Sequence, residues 1–233
     1  MHNITKLFDL IFYSLFPKTC VHCDSLLKEG EEILCFKCHF EIISYPFSWD
    51  LSEDNYITNK FQFRLPLKQA ASFFVFENSS VVQSLIHNLK YKGNQRIGKW
   101  IADFYLDHKK KTFFEDIDVI VPVPLHTKRN KERGYNQVDV LCESIATITN
   151  IPYNKKAVKR VKYTTSQTKK SREQRLKSME DVFTIPLPEV VSGKNILIVD
   201  DVLTTGATVE SLGRTLVKSG AKTISILSIA VKM

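Results

Sequence analysis

Long hydrophobic runs are missing from this chain, and so is any sign of sequence repeats or disorder-prone composition. The nearest approach to a membrane segment, Leu7 to Phe16, is short, is interrupted by Asp9 and lacks a small-residue cleavage site. It makes a poor secretory signal and is too short to span a bilayer, so the expectation is a cytoplasmic protein with no transmembrane segment. Leu7, Ile11 and Leu15 can still share one helical face, which either packs on its own domain or lies on a membrane or another protein. The 233 residues are 43% hydrophobic, enough to bury one sizeable α/β core with a small appendage. Cysteine is scarce: of five, four fall within one short stretch, so whatever they do is local.

Acidic residues are in short supply beyond the N-terminal quarter. Residues 1–66 carry six Lys/Arg against nine Asp/Glu, whereas residues 67–233 carry 27 against 16, and the net charge is +8. The densest stretch, Lys155 to Lys177, has ten basic residues opposed only by Glu173, with Tyr163 its one aromatic. A field of this kind attracts polyanions such as pyrophosphate, a nucleotide or single-stranded DNA, for which Tyr163 offers a stacking platform. A solvated face, or a hood over a small anionic ligand, explains the same charges, because charge alone names no partner.

The most specific signal lies between Asn195 and Gly220. An apolar run, Ile196-Leu197-Ile198-Val199, ends in Asp200-Asp201 and then in the small, hydroxyl-rich turn Thr204-Thr205-Gly206-Ala207-Thr208. Val209, Leu212 and Leu216 follow at helical spacing, and Gly220 stands where a helix would stop. A turn that opens a helix presents backbone N–H groups to phosphate, and carboxylates at a strand end accept hydrogen bonds from sugar hydroxyls. The pattern reads as a sugar-phosphate site; an ordinary strand-to-helix connection is the plain alternative. Ile198 to Thr208 resembles the phosphoribosyl-pyrophosphate (PRPP) loop of type I phosphoribosyltransferases. That resemblance implies ribose binding by Asp200 and Asp201, the candidate catalytic residues, and 5′-phosphate binding by Thr204, Thr205, Gly206, Ala207 and Thr208.

Four cysteines form two C-x-x-C knuckles, Cys20-Val21-His22-Cys23 and Cys35-Phe36-Lys37-Cys38, eleven residues apart. Two close pairs of soft ligands can complete a tetrahedral zinc site with no open position, so the metal would be structural. A redox pair is the alternative, and His22 or His39 could replace one ligand. Cys142 falls in the apolar pattern Val138, Leu141, Cys142, Ile145 and reads as core.

Ser44 to Pro66 has no sustained period and reads as a linker or adapter. Beyond it, strand signals at Ala70–Phe76, Ile117–Val123, Asn195–Val202 and Thr223–Val231 alternate with helical ones at Val82–Leu89, Tyr135–Thr147 and Val209–Leu216. Such alternation predicts an α/β fold with a mainly parallel sheet flanked by helices, and ligands at the strand carboxyl ends. After the Ile117 strand come Val121-Pro122-Val123-Pro124-Leu125-His126, Arg129 and Arg133-Gly134-Tyr135-Asn136-Gln137. Prolines stiffen this strand exit, and Arg129 and Arg133 are candidates to grip pyrophosphate from a cationic loop.

The cysteine knuckles, Leu89-Lys90-Tyr91-Lys92-Gly93, the Pro-Val-Pro-Leu and Arg-Gly-Tyr-Asn-Gln segments, Gln167 with Arg175, and the PRPP loop together resemble the ComF family over nearly the whole chain. The sequence departs from the family pattern at Lys170, Ser178, Asp181 and Val182. The resemblance implies a type I phosphoribosyltransferase-like protein associated with DNA uptake in natural transformation, with PRPP as ligand, Mg²⁺ bound with PRPP, structural zinc, and competence-machinery proteins at the inner face of the membrane as partners. It divides the chain into a helix and four-cysteine zinc-ribbon-like segment (1–50), a linker (51–69) and a phosphoribosyltransferase-like domain (70–233). Two other functions stay open: a base-salvage phosphoribosyltransferase, and a non-catalytic single-stranded nucleic-acid binder using PRPP as a regulatory ligand. No residue stands out as a base for an acceptor.

Overall fold

Strand β5 (Asn195–Leu203) forms the middle of the molecule because its apolar run is hidden on both faces. Ile196 and Ile198 point into one hydrophobic layer and Leu197 and Val199 into the other, as the two-residue strand period requires. The computed structural model describes residues 17–42, 44, 49, 55–106, 112–161 and 182–233. The Leu7–Phe16 run lies outside the described residues, as do the basic stretch from Lys162 to Lys177 with Tyr163, Gln167, Lys170 and Arg175, and Ser178 and Asp181.

The sheet has four parallel strands in the order β1-β6-β5-β2, where β1 is Leu67–Val75, β2 is Val119–Pro122 and β6 is Thr223–Val231. Around the strands, in chain order, stand α1 (Phe36–Phe40), α2 (Tyr56–Phe61), α3 (Val81–Tyr91), α4 (Arg96–Tyr105), α5 (Thr127–Arg133), α6 (Asp139–Thr149) and α7 (Ala207–Lys218). One face of the sheet is covered by α3, α4 and α6 through Leu85, Leu89, Ile97, Ile101, Leu141 and Ile145; α2 and α7 cover the other. A short antiparallel ribbon, β3 (Lys159–Arg160) with β4 (Phe183–Thr184), stands where the chain enters and leaves residues 162–181.

Parallel strands need covered faces, and the helices come close to supply the cover. On α4, Gly98 has no room for a methyl group, which would lie 2.9 Å from the backbone nitrogen of Leu141 on α6. The stretch expected to be a linker holds regular structure from Asn55 onward. Asn55 caps α2 by accepting hydrogen bonds from the backbone of Ile57 and Thr58, each at 2.9 Å, and its own amide donates to the Ala70 carbonyl. Ile57, Phe61 and Leu65 are buried against α7 and the sheet, and Arg64 pairs with the buried Glu210 at 2.9 Å. Among the described residues of this stretch three apolar anchors carry the packing, too few to stand out as a period.

The cysteine segment packs on the larger body. Cys20, Ile33, Leu34 and Cys38 share a core with α3 and α4. Polar contacts tie the same surfaces: His22 Nδ1 meets Ser84 Oγ at 2.9 Å, the Asn88 amide donates to the Val21 carbonyl at 3.4 Å, and the Tyr105 hydroxyl meets His39 Nε2 at 2.8 Å. Among the described residues no helix is long and apolar enough to cross a membrane.

Candidate functional site

The site begins where β2 stops pairing with β5. Their register ends at Pro122 opposite Val199, so the next residue, Asp200, stands at the mouth of a crevice between two strand ends while its other side still pairs with Ser228 of β6. Open parallel sheets bind ligands at such places.

Asp201 is buried, with both carboxylate oxygens in use. Lys90, from the last turn of α3, donates to Oδ1 at 2.7 Å, and the side-chain amide of the buried Gln137 donates to Oδ2. The Gln137 carbonyl in turn accepts from Arg133. Asp200 accepts a hydrogen bond at 2.8 Å from the Asp201 backbone N–H. Burial, followed by the adjacent Asp201 carboxylate, pushes the Asp200 carboxyl up to about 7, against a weaker opposing pull from Lys90 and Arg160.

The Arg-Gly-Tyr-Asn-Gln segment is a connector in which every residue is used. Its cationic loop contains a helix, α5, which ends at Gly134 with φ of 80°, a left-handed turn suited to glycine. The Tyr135 hydroxyl donates to the Leu89 carbonyl on α3, and the Asn136 amide donates to the Val123 carbonyl at 3.0 Å. These polar commitments delay the following helix, expected from Tyr135, until Asp139. The result is a cleft of about 430 Å³ lined by Lys90, Tyr91, Arg129, Arg133, Gln137 and Asp201 among others. Arg133 also lies over the Tyr91 ring, 5.4 Å from its centroid. Both pyrophosphate candidates, Arg129 and Arg133, thus share one cleft with Asp201.

The Thr204–Thr208 turn leads from β5 into α7. Thr204 and Thr205 are exposed, whereas Gly206 is buried with φ of 77°. A Cβ on Gly206 would lie 2.4 Å from the ring tip of Phe61, so α2 packs directly beneath the turn. Lys60 of the same helix donates to the Thr204 carbonyl at 2.5 Å. Arg160, on β3, stacks over the Phe183 ring at 5.6 Å and interacts electrostatically with both Arg129 and Asp200. Lys60, Phe61 and Arg160 carry no motif of their own; only the fold brings them to the turn and the carboxylates.

Apart from this cleft, the four knuckle cysteines converge. The first pair sits on a tight turn closed by Cys20 N–H to Ser25 O and Asp24 N–H to Cys20 O, and the second flanks the start of α1. Their sulfurs all lie within 4.8 Å of one another, and those of Cys23 and Cys35 are 3.7 Å apart. Zn–S bonds of about 2.3 Å in a tetrahedron require sulfur separations of about 3.8 Å, so this donor set fits zinc. Hydrogen bonding to Ser25 draws the Cys23 thiol down to about 6, a backbone N–H lowers that of Cys35, and burial pushes that of Cys38 up. The four cysteines can hold a zinc ion. His39 is packed among Trp100, Phe104 and Tyr105, whereas His22 lies close to Cys38 and Glu41 in a second possible ligand group.

Residues 139–233 match the phosphoribosyl transferase domain. The DNA utilization protein YhgH of Salmonella typhimurium is 33% identical over 146 residues, which are 61% of this chain and 63% of that protein. Competence protein F of Haemophilus influenzae is 29% identical over 227 residues, covering 93% of this chain and 98% of that one. The chain is thus similar to a competence protein over nearly its whole length. Competence protein ComFC of Bacillus subtilis is 26% identical over 203 residues, covering 87% of this chain and 79% of that one. The match spans just under two thirds of the YhgH protein. The parallel sheet flanked by helices is the type I phosphoribosyltransferase fold, and the cysteine segment packs on it through α3 and α4.

Proposed function

We propose that this ComF-type protein binds PRPP at the end of β5 and serves DNA uptake during natural transformation. The observation that supports the reading is that Asp201, on the end of β5 that leads into the Thr204–Thr208 turn, lines one cleft with Arg129 and Arg133. Asp200 and Asp201 accept hydrogen bonds from the ribose hydroxyls. The turn and the start of α7 hold the 5′-phosphate, where the helix dipole favours negative charge. Arg129 and Arg133 face the pyrophosphate and can grip it with paired hydrogen bonds. With PRPP bound, Mg²⁺, held mainly by substrate oxygens near the Asp200–Asp201 carboxylates, would neutralise charge on the pyrophosphate. Departure of pyrophosphate from ribose C1 leaves positive charge on the ring, which the Asp200–Asp201 pair stabilises from fixed positions. The names of the competence and DNA-utilization homologues support the role in DNA uptake. The domain arrangement we favour is a zinc-holding segment, a connector from residue 51 to 69 and a phosphoribosyltransferase-like body.

The test is calorimetry with PRPP and Mg²⁺ on the wild-type chain and on Asp200→Asn with Asp201→Asn. Each charged hydrogen bond lost is worth about 1.5–3 kcal/mol, so the double variant should bind at least tenfold more weakly. Equal affinity in a folded double variant refutes the assignment. Pyrophosphate release measured with a panel of free bases and with DNA then separates the alternatives: turnover with a base marks a salvage transferase, and DNA binding without turnover marks PRPP as a regulatory ligand.

A further inference from the structure

Asp201 cannot meet a ribose hydroxyl as it stands without sharing or giving up a bond, since each of its oxygens already accepts one from the protein. The two donors differ in freedom. Gln137 is buried, and its other amide end is held by Arg133, so it is fixed. Lys90 reaches Asp201 on four methylene groups, and its side chain keeps 22% of its exposure. The backbone beneath it is rigid: Leu89 is fully buried, and its carbonyl accepts from Tyr135. The ammonium can therefore move while its anchor stays in place.

The surroundings decide where it would go. Lys90 lines the same cleft as Arg129 and Arg133, and a dianionic or trianionic group bound there is the strongest anion within its reach. On the reading that this cleft takes PRPP, we propose that Lys90 is a pyrophosphate-binding residue, parked on Asp201 in the free protein and displaced to the pyrophosphate when the ribose hydroxyls take its place. The exchange keeps the ammonium paired with an anion, and Asp201 trades its ion pair for hydrogen bonds from the ribose hydroxyls beside the one from Gln137. It also makes ribose binding compete with an ion pair unless a pyrophosphate is present to receive Lys90, so the site discriminates PRPP from ribose 5-phosphate.

Calorimetry of the full chain with Mg²⁺ tests this on two ligands, PRPP and ribose 5-phosphate. Lys90→Gln should weaken PRPP at least about tenfold, the scale of one charged hydrogen bond, while binding ribose 5-phosphate as tightly as the wild type or more so. Lys90→Arg, which keeps the charge, should retain most of the PRPP affinity. Undiminished PRPP affinity in Lys90→Gln overturns the proposal, and so does an equal loss for both ligands, which marks a purely structural ion pair. Should Lys90→Gln not fold, acetylation of the wild-type chain read by mass spectrometry decides: PRPP should protect Lys90 and ribose 5-phosphate should not, and equal reactivity with either ligand overturns it. Failure of the wild type to bind PRPP at all strikes instead at the reading of the site.

Discussion

Gly206 carries two burdens at once, and replacing it with alanine separates them. At φ of 77° an L-residue occupies the left-handed region, which costs about 1–2 kcal/mol. The added methyl would also lie 2.4 Å from Cζ of Phe61, a fully buried ring, and overpacking of this kind costs about 1–3 kcal/mol. Gly206→Ala should therefore lose about 2–5 kcal/mol in equilibrium urea unfolding, or shift the Thr204–Thr208 turn and lose PRPP affinity instead. Phe61→Leu removes the ring tip that the methyl meets. In the double variant the steric part should be recovered, giving a favourable coupling of about 1–3 kcal/mol while the backbone part remains. A Gly206→Ala protein within about 0.5 kcal/mol of wild type and unchanged in PRPP binding, or a strictly additive cycle, refutes the claim that α2 buttresses the turn.

Protein purified without added metal should hold one zinc, and Cys35→Ser should lose it and destabilise the cysteine segment while PRPP binding persists; a metal content that stays near zero after zinc reconstitution under reducing conditions contradicts this. Asp200 titrates near 7 when folded against an ordinary value near 3.8, so the folded state binds the extra proton and the carboxyl lowers stability progressively as pH rises from about 4 to about 7. Asp200→Asn should accordingly gain more stability over wild type at pH 8 than at pH 4 in urea unfolding, and a pH-independent difference counts against the burial argument. If the basic stretch binds single-stranded DNA, changing Lys155, Lys156, Lys159 and Lys162 to Gln should weaken binding and flatten its log–log salt dependence by roughly 0.7 for each phosphate no longer neutralised. Unaltered DNA binding with reduced PRPP affinity would assign those charges to a hood over the cleft.

What could be read from sequence here was whatever a single local segment expresses. The β5 strand, its paired acids and the helix after the turn are continuous in sequence, so apolar period and turn chemistry displayed them together, and the two knuckles carried their ligand spacing within nineteen residues. The partners of those segments were not legible for a physical reason. Lys90 and Asp201 are 111 positions apart, and Lys60 and Thr204 are 144 apart. Neither lysine differs in composition from a solvated surface residue; its role comes from which strand end the topology places beside it. Helix α2 was hidden for a related reason: six residues show too little of a helical period to stand out from a polar stretch, yet Phe61 fits beneath the one position in the turn that lacks a Cβ. Tyr135, Asn136 and Gln137 show the opposite case, since their motif was visible while their use was not. Read as the beginning of a helix, they instead spend their side chains on α3, on the β2 exit and on Asp201, so a segment that looks like a helix start is the joint that fixes the Arg129/Arg133 cleft to the end of β5.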